Sequence, residues 1–461
     1  MKWKAVKTEN KEVKMTSGPV TKSIFLFALP VFLGQILQQL YGIADSVIVG
    51  RYLGVDALAA VGATGSLNYI IGYFCIGSCI GISVPLSQAY GAGDKHKLRC
   101  YFVNGIYFFS VMAVIITVIT ACFCMNFLQW LQTPANIING ADTYLSIIFY
   151  GLPCTILYNF CFGVLLAFGD SKSSSVFMAI STVLNLILDL VMIVVWEWGI
   201  AGAAIATVIS QGVAGAASFI YIFCRYKILL PENSEERKLQ FSFVKNIISM
   251  SMPMGLQYSI TAVGAIILQV GVNNLGYEEV AAFSSGTKMK GLFLCPLNAL
   301  GTALSSFVGQ NFGANQLERV QVGVKRTLQM GAVYCLGIIV FAYFFGDSLA
   351  GWFVEESQRE VIRHTRKFIQ YISVFNLELT FLFAYRYSVQ GMGYGKYSIY
   401  SGLAEMIARS LTAVFLVPVF GFEAVCWSEG TTFLAGIFVI APIYKMLIKR
   451  YKGCSTLSEI V

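Results

Sequence analysis

A helix must run about 20 mainly apolar residues to cross the hydrocarbon core of a bilayer, and this chain offers such runs almost end to end. Twelve can be placed. The first six lie near 24–49, 57–88, 101–124, 141–168, 174–197 and 199–224; the second six lie near 245–274, 279–309, 326–346, 368–391, 397–418 and 421–447. Only 12% of the residues are charged and 57% are hydrophobic, against about 25% charged in ordinary soluble chains. That composition excludes a soluble enzyme and a disordered chain. The 32 Lys and Arg are also too few to coat a nucleic-acid groove in a chain of this length. The spacing therefore predicts an all-α, polytopic membrane protein whose main partner is the lipid bilayer, with no nucleic-acid partner.

Lys and Arg mark the sides of the membrane. With the N-terminal tail placed inside, the inner segments hold 23 of them and the outer segments 5, so the positive-inside rule puts both termini in the cytoplasm. The outer cluster Arg359–Lys367 runs against the rule, beside Glu355, Glu356 and Glu360. The formal charge of +8 then reflects topology and contact with anionic lipid. The first residues are polar and lysine-rich, and the run 24–49 is too long for the core of a secretory signal. A multi-pass protein of the cell (plasma or inner) membrane is expected.

The 12 cysteines fall mostly inside apolar runs, where a free thiol behaves as a small hydrophobe. No Cys-x-x-Cys occurs, and the two histidines, His96 and His364, lie far apart in polar stretches. No metal centre of the His/Cys kind is expected.

The two halves repeat. Ser87-Gln88-Ala89-Tyr90-Gly91-Ala92-Gly93 aligns with Gly309-Gln310-Asn311-Phe312-Gly313-Ala314-Asn315 at an offset of 222, and Leu53-Gly54 aligns with Leu275-Gly276 at the same offset. Leu29-Pro30 matches Met252-Pro253, Gly169 and Lys172 match Gly393 and Lys396, and Gly199 matches Gly421. Six helices per half make the repeat parallel. The expected layout is a basic cytoplasmic tail (1–23), an N-terminal lobe (24–225), a cytoplasmic linker (226–244), a C-terminal lobe (245–450) and a cytoplasmic tail (451–461). Twelve helices in two pseudo-symmetric lobes around a central cleft suit a transporter that rocks about a central site. A channel or a membrane-bound enzyme gives no reason for the duplication, and neither His-Glu-x-x-His nor Gly-x-Ser-x-Gly occurs.

A carboxylate at the bilayer centre costs at least ~2.5–3.5 kcal/mol, so each one within a span is a functional candidate. Asp45 lies in the first helix, fifteen residues after Pro30, whose missing hydrogen bond makes a hinge. Asn185 and Asp189 lie i,i+4 on one face of the fifth helix, and Thr207 in the sixth can add a hydroxyl. Such oxygens suit a proton or Na⁺, with a structural polar cluster as the bland reading. In the second half Leu268 and Ala413 stand where Asp45 and Asp189 do. Glu405 and Arg409, spaced i,i+4, are expected to form a structural ion pair, and Glu378 with Arg386 a second. Whether these take part in transport stays open. Glu429 has no evident role, and Lys288 and Lys290 line the cleft or snorkel. Met254, Gln257, Tyr258, Phe283 and Met289 are candidates for a substrate cleft, although at helical spacing such residues are more often core.

The runs Leu29-Pro30, Asp45-Ser-Val-Ile-Val-Gly50-Arg-Tyr-Leu-Gly54, Gln88 to Gly93, Gln310 to Ala314 and Gln390-Gly-Met-Gly393 resemble the multidrug and toxic compound extrusion (MATE) family over residues 20 to 450. They are closer to its DNA-damage-inducible-protein-F branch. The resemblance implies export of amphipathic, usually cationic compounds in exchange for H⁺ or Na⁺, with no other cofactor. It also implies an N-lobe cation site of Asp45, Asn185, Asp189, Thr207 and Tyr144, with Pro30 as the hinge. Relatives of the norfloxacin-extruding branch carry a helix-7 Glu, whereas Pro253 to Thr261 here holds no acid, which argues against a C-lobe cation site of that kind. A monomer is expected. The alternative reading is a lipid-linked-precursor flippase of the wider superfamily; the identity of the substrate and the choice between H⁺ and Na⁺ are not written in the residues.

Overall fold

A computed structural model describes residue 13, residues 15–352 and residues 358–452. Most of the basic tail, the C-terminal tail from 453 onward, and Glu355 and Glu356 lie outside the described residues. Among the described residues, eleven helices are long and apolar enough to cross a bilayer: α1 (Val20–Leu53), α2 (Asp56–Gly91), α3 (Lys95–Trp130), α5 (Ser171–Val195), α6 (Gly199–Arg225), α7 (Phe241–Asn273), α8 (Tyr277–Gly313), α9 (Leu317–Gly351), α10 (Arg359–Gly391), α11 (Lys396–Phe420) and α12 (Phe422–Lys452). The twelfth span, α4, comes as two pieces, Ile138–Tyr150 and Leu152–Ala167, bent by 48°. Pro153, at the start of the second piece, has no N–H to give the preceding turn, so the ladder breaks there.

The halves repeat in three dimensions as they do in sequence. In each, the first helix packs on the fifth and the fifth on the sixth, so α1 with α5 and α6 mirrors α7 with α11 and α12. The lobes meet where α2 lies along α7 and α1 along α8, two contacts that the repeat exchanges. Even the irregularities are shared. A π-helical segment closes α5 at Leu190–Val195, and another lies in α11 at Thr412–Leu416. Extra-residue turns of this kind concentrate at functional sites.

The repeated Gln-x-x-Gly motif holds the lobes together at one end. A methyl on Gly91 would stand 1.9 Å from the Gln310 carbonyl oxygen, and one on Gly313 would stand 2.1 Å from that of Gln88. Only glycine lets the two backbones approach this closely. Each glutamine then caps another helix: Gln88 Nε2 donates to the Gly391 carbonyl at 2.9 Å, and Gln310 Nε2 to the Ala167 carbonyl at 2.8 Å. The segment before α1 is stitched over the same end. Met15 is buried, and its carbonyl accepts from Asn311 Nδ2 at 3.1 Å and from Arg319 Nε at 3.2 Å. The 226–244 connection is fixed to α3 there too: Arg99 Nε donates to the Ile228 carbonyl at 3.0 Å, and Arg99 also pairs with Glu236.

This end of the bundle is therefore the closed one. Gly91→Ala is expected to force the lobes apart there at a cost of about 1–3 kcal/mol. Spin labels on the exposed positions Lys97 and Lys325, in a background lacking the exposed Cys122 and Cys224, would report it. An unchanged label distance would contradict the glycine contact as the latch.

Candidate functional site

The buried face of α5 is a stripe of Ser174, Met178, Ser181, Asn185 and Asp189. It faces α1, whose Gly34 lets Met178 approach: a methyl there would meet its sulfur at 2.8 Å. Two turns further along the same face of α1 comes Tyr41, and three turns further comes Asp45. The packing thus carries Asp45 to Asp189, and the two carboxyls lie within hydrogen-bonding reach of each other. Asp189 is fully buried and Asn185 nearly so; the Asn185 amide donates to Asp189 Oδ2 at 3.4 Å.

α6 closes the next side. Its small residues Ala203, Ala204 and Ala206 are buried, and its Thr207 hydroxyl bonds back to the Ala203 carbonyl at 3.2 Å. Tyr144, buried on the first piece of α4, faces both carboxyls. All five residues expected at the N-lobe site are thus brought together, from four helices. Sequence reasoning missed Tyr41. It sits beside both carboxyls with its hydroxyl in reach of Thr207; its i,i+4 spacing to Asp45 was the available signal.

One oxygen of each carboxyl, Asp45 Oδ1 and Asp189 Oδ1, is buried with no hydrogen-bond partner. A buried acceptor left unsatisfied costs about 1–3 kcal/mol. Two adjoining carboxylates at membrane depth also cannot both stay ionised without a positive charge between them. The set around the gap is all oxygen: two carboxyls, an amide, a threonine hydroxyl and two phenols. Such a set fits a proton or a hard cation, not a soft metal.

The MatE family model matches residues 30–191 and again residues 253–415, one match to each half. The chain belongs to the MatE family. It is 30% identical over 365 residues to the “Probable multidrug resistance protein YpnP” of Bacillus subtilis, covering 79% of this chain and 81% of that one. It is 29% identical over 363 residues to the “Probable multidrug resistance protein YoeA” of the same organism, covering 76% and 77%. In fold it is similar to a solved multidrug resistance MATE transporter described as outward-facing, with a TM-score of 0.89 and 20% identity over 97% of this chain and 100% of that one. This MatE protein is thus a multi-pass membrane transporter of the multidrug efflux type, not an enzyme.

Elsewhere the MatE fold corrects several expectations. Glu405 and Arg409 do not pair with each other. The α11 face turns Glu405 toward α10, where Arg386 pairs with it, and turns Arg409 toward α12, where its Nη2 lies 3.0 Å from Glu429 Oε2. Arg386 is therefore not the partner of Glu378, whose Oε2 is buried without a hydrogen bond. Glu429 becomes a centre, since Lys290 Nζ also reaches its Oε1 at 2.6 Å.

Four of the five cleft candidates are core. Met254 is buried at the seam between lobes, against Val84 of α2 and Met250, and Gln257 lies against Gly402 within the C-terminal lobe. Phe283 stacks edge-on with Phe368, and Met289 packs among Phe293, Ile338 and Ile369. The helical spacing of Gln257, Phe283 and Met289 puts them on faces that the C-terminal lobe itself consumes. Tyr258, only part-buried, also stands at the seam between lobes, its ring 6.4 Å from that of Tyr73 on α2, which in turn lies 5.2 Å from Tyr69. Tyr69 and Tyr73, both exposed, are seam aromatics that sequence reasoning passed over.

Proposed function

We propose that this MatE protein is a secondary antiporter that exports amphipathic, cationic organic compounds in exchange for H⁺ or Na⁺. Asp45 and Asp189 form the coupling site, with Asn185, Thr207, Tyr144 and Tyr41 around them, and Pro30 is the hinge of α1. The observation that carries this reading is the meeting of those two carboxyls, each with an unsatisfied oxygen, between helices of one lobe. A cation there neutralises buried charge. It shifts the balance between inward-open and outward-open states only by binding them unequally, and a site shared among four helices differs between states as soon as α1 moves on α5.

The lobes divide at the 226–244 linker, both termini face the cytoplasm, and the protein works as a monomer in the plasma membrane. The excess of Lys and Arg on the latched side supports that orientation. With the Gln88 and Gln310 latch on the cytoplasmic side, the seam opens outward. The aromatic rings of Tyr69, Tyr73 and Tyr258 at that seam offer π faces suited to flat cations.

Purified protein in liposomes, loaded with a cationic dye and given a pH gradient or a Na⁺ gradient separately, tests the reading. One of the two should drive dye transport well above the leak. If neither does, the protein is not a cation-coupled antiporter.

A further inference from the structure

The repeat can be followed into the C-terminal lobe position by position. The buried stripe of α5 (Ser174, Met178, Ser181, Asn185, Asp189) has its counterpart in α11 as Ser398, Gly402, Glu405, Arg409 and Ala413, at a constant offset of 224. α1 and α7 correspond at 223, which sets Leu268 at the place of Asp45. α6 and α12 correspond at 222, which sets Glu429 at the place of Thr207, and α2 and α8 likewise set Lys290 at the place of Asn68. Leu268 and Ala413 pack in one apolar cluster where the N-lobe has its carboxyl pair.

The C-lobe counterpart of the coupling site therefore carries its own cations. Arg409 and Lys290 hold opposite oxygens of Glu429, at 3.0 and 2.6 Å. The charged neighbours acting on Lys290 are these two residues. The neighbouring pair, Arg386 with Glu405, is neutral and closed by Ser401, which accepts from Arg386 at 2.9 Å and donates to Glu405 at 3.0 Å. Arg409 alone would neutralise Glu429. Lys290 is one positive charge more than the cluster needs, in surroundings where surplus charge is costly.

Lys290 is also the member nearest the seam. Its side chain is 18% exposed, against 3% for Glu429 and 10% for Arg409. Thr287 and Lys288 beside it are exposed, and the next residue, Gly291, faces Gln39 of α1 across the seam, 3.1 Å from where a methyl would stand.

We propose that Lys290 anchors an acidic group of the transported compound, so that the cleft takes amphipathic zwitterions: a flat cationic body among the seam aromatics and a carboxylate on the Lys290 ammonium. This rests on the export reading above and narrows its substrate class. A carboxylate arriving there brings the cluster to two positive and two negative charges. A lysine that merely balanced Glu429 would duplicate what Arg409 already does.

The test is binding, which needs no ion gradient. A cationic rhodamine methyl ester and its free acid share one aromatic body and differ in the carboxylate. Their affinities for the protein in lipid nanodiscs would be measured by fluorescence polarisation for the native chain, Lys290→Met and Lys290→Arg. A hydrogen bond to a charged group is worth about 1.5–3 kcal/mol, so Lys290→Met should weaken the acid by about ten-fold or more. The ester should change less than about two-fold, and Lys290→Arg should keep the preference for the acid. The Arg409–Glu429 pair stays neutral in Lys290→Met, which keeps the lobe folded. Equal weakening of both dyes would make Lys290 a structural counter-ion, and no change in either, or no binding of the acid by the native chain, would equally overturn the proposal. Failure of the antiport reading has a different signature: binding intact, with no transport under either gradient.

Discussion

Asp45→Asn is expected to reduce gradient-driven efflux by about a hundred-fold, to the level of the leak, while leaving the protein folded in the membrane. The amide has the shape of the carboxylate but neither gains nor loses a cation. Burying a carboxylate at membrane depth costs at least ~2.5–3.5 kcal/mol, and 2.8 kcal/mol is about a hundred-fold in population. That is the leverage cation binding has over the transport equilibrium, and Asn removes it. Folding should survive, because the variant relieves the apposition of two acids and replaces a half-buried acid whose Oδ1 has no partner. Asp189→Asn should act alike, and the double variant should be no worse than either single one, since residues acting as one unit are non-additive. Efflux from proteoliposomes decides it. Undiminished, gradient-dependent efflux by Asp45→Asn would sink the coupling role.

The parts of this site that could be read in advance share one property: they depend on spacing along a single helix. Twelve apolar runs, the Asn185–Asp189 face and the conflict between Asp45 and lipid are all local. So was the Gln-x-x-Gly repeat, although its purpose was hidden. The reciprocal fit of Gly91 on Gln310 and Gly313 on Gln88 requires knowing that the two copies meet at one axis.

What was not legible depends on how neighbouring helices are rotated. Glu405 and Arg409 lie one turn apart on α11, yet each has a stronger claim from another helix, because a cross-helix partner in low dielectric outcompetes an i,i+4 neighbour worth only a few tenths of a kcal/mol. Phe283 and Met289 show the same blindness in apolar form: a helix face reads identically whether it packs on its own lobe or lines a cleft. Tyr144 illustrates the reverse case. It was placed by family resemblance alone, and its burial against the carboxyls depends on a helix that breaks at Pro153, which a single uninterrupted run did not suggest.

The same cross-helix dependence makes Glu429 the most consequential single acid of the C-terminal lobe for stability. Glu429→Gln would leave Arg409 and Lys290 facing each other with no negative charge between them. Removing one partner of a buried ion pair costs about 3–5 kcal/mol, because the uncompensated charge stays buried. The midpoint of thermal unfolding in detergent or nanodiscs should fall accordingly. Removing Arg409 as well should restore most of it. In Arg409→Gln/Glu429→Gln the two amides can hydrogen-bond each other between α11 and α12, and Lys290 at the seam can turn its ammonium to water. A double variant as unstable as Glu429→Gln alone would mean that the acid serves packing and not charge balance. Recovery would show that the C-lobe is held by the cancellation of charges across three helices, the place where the N-lobe instead leaves room for a mobile ion.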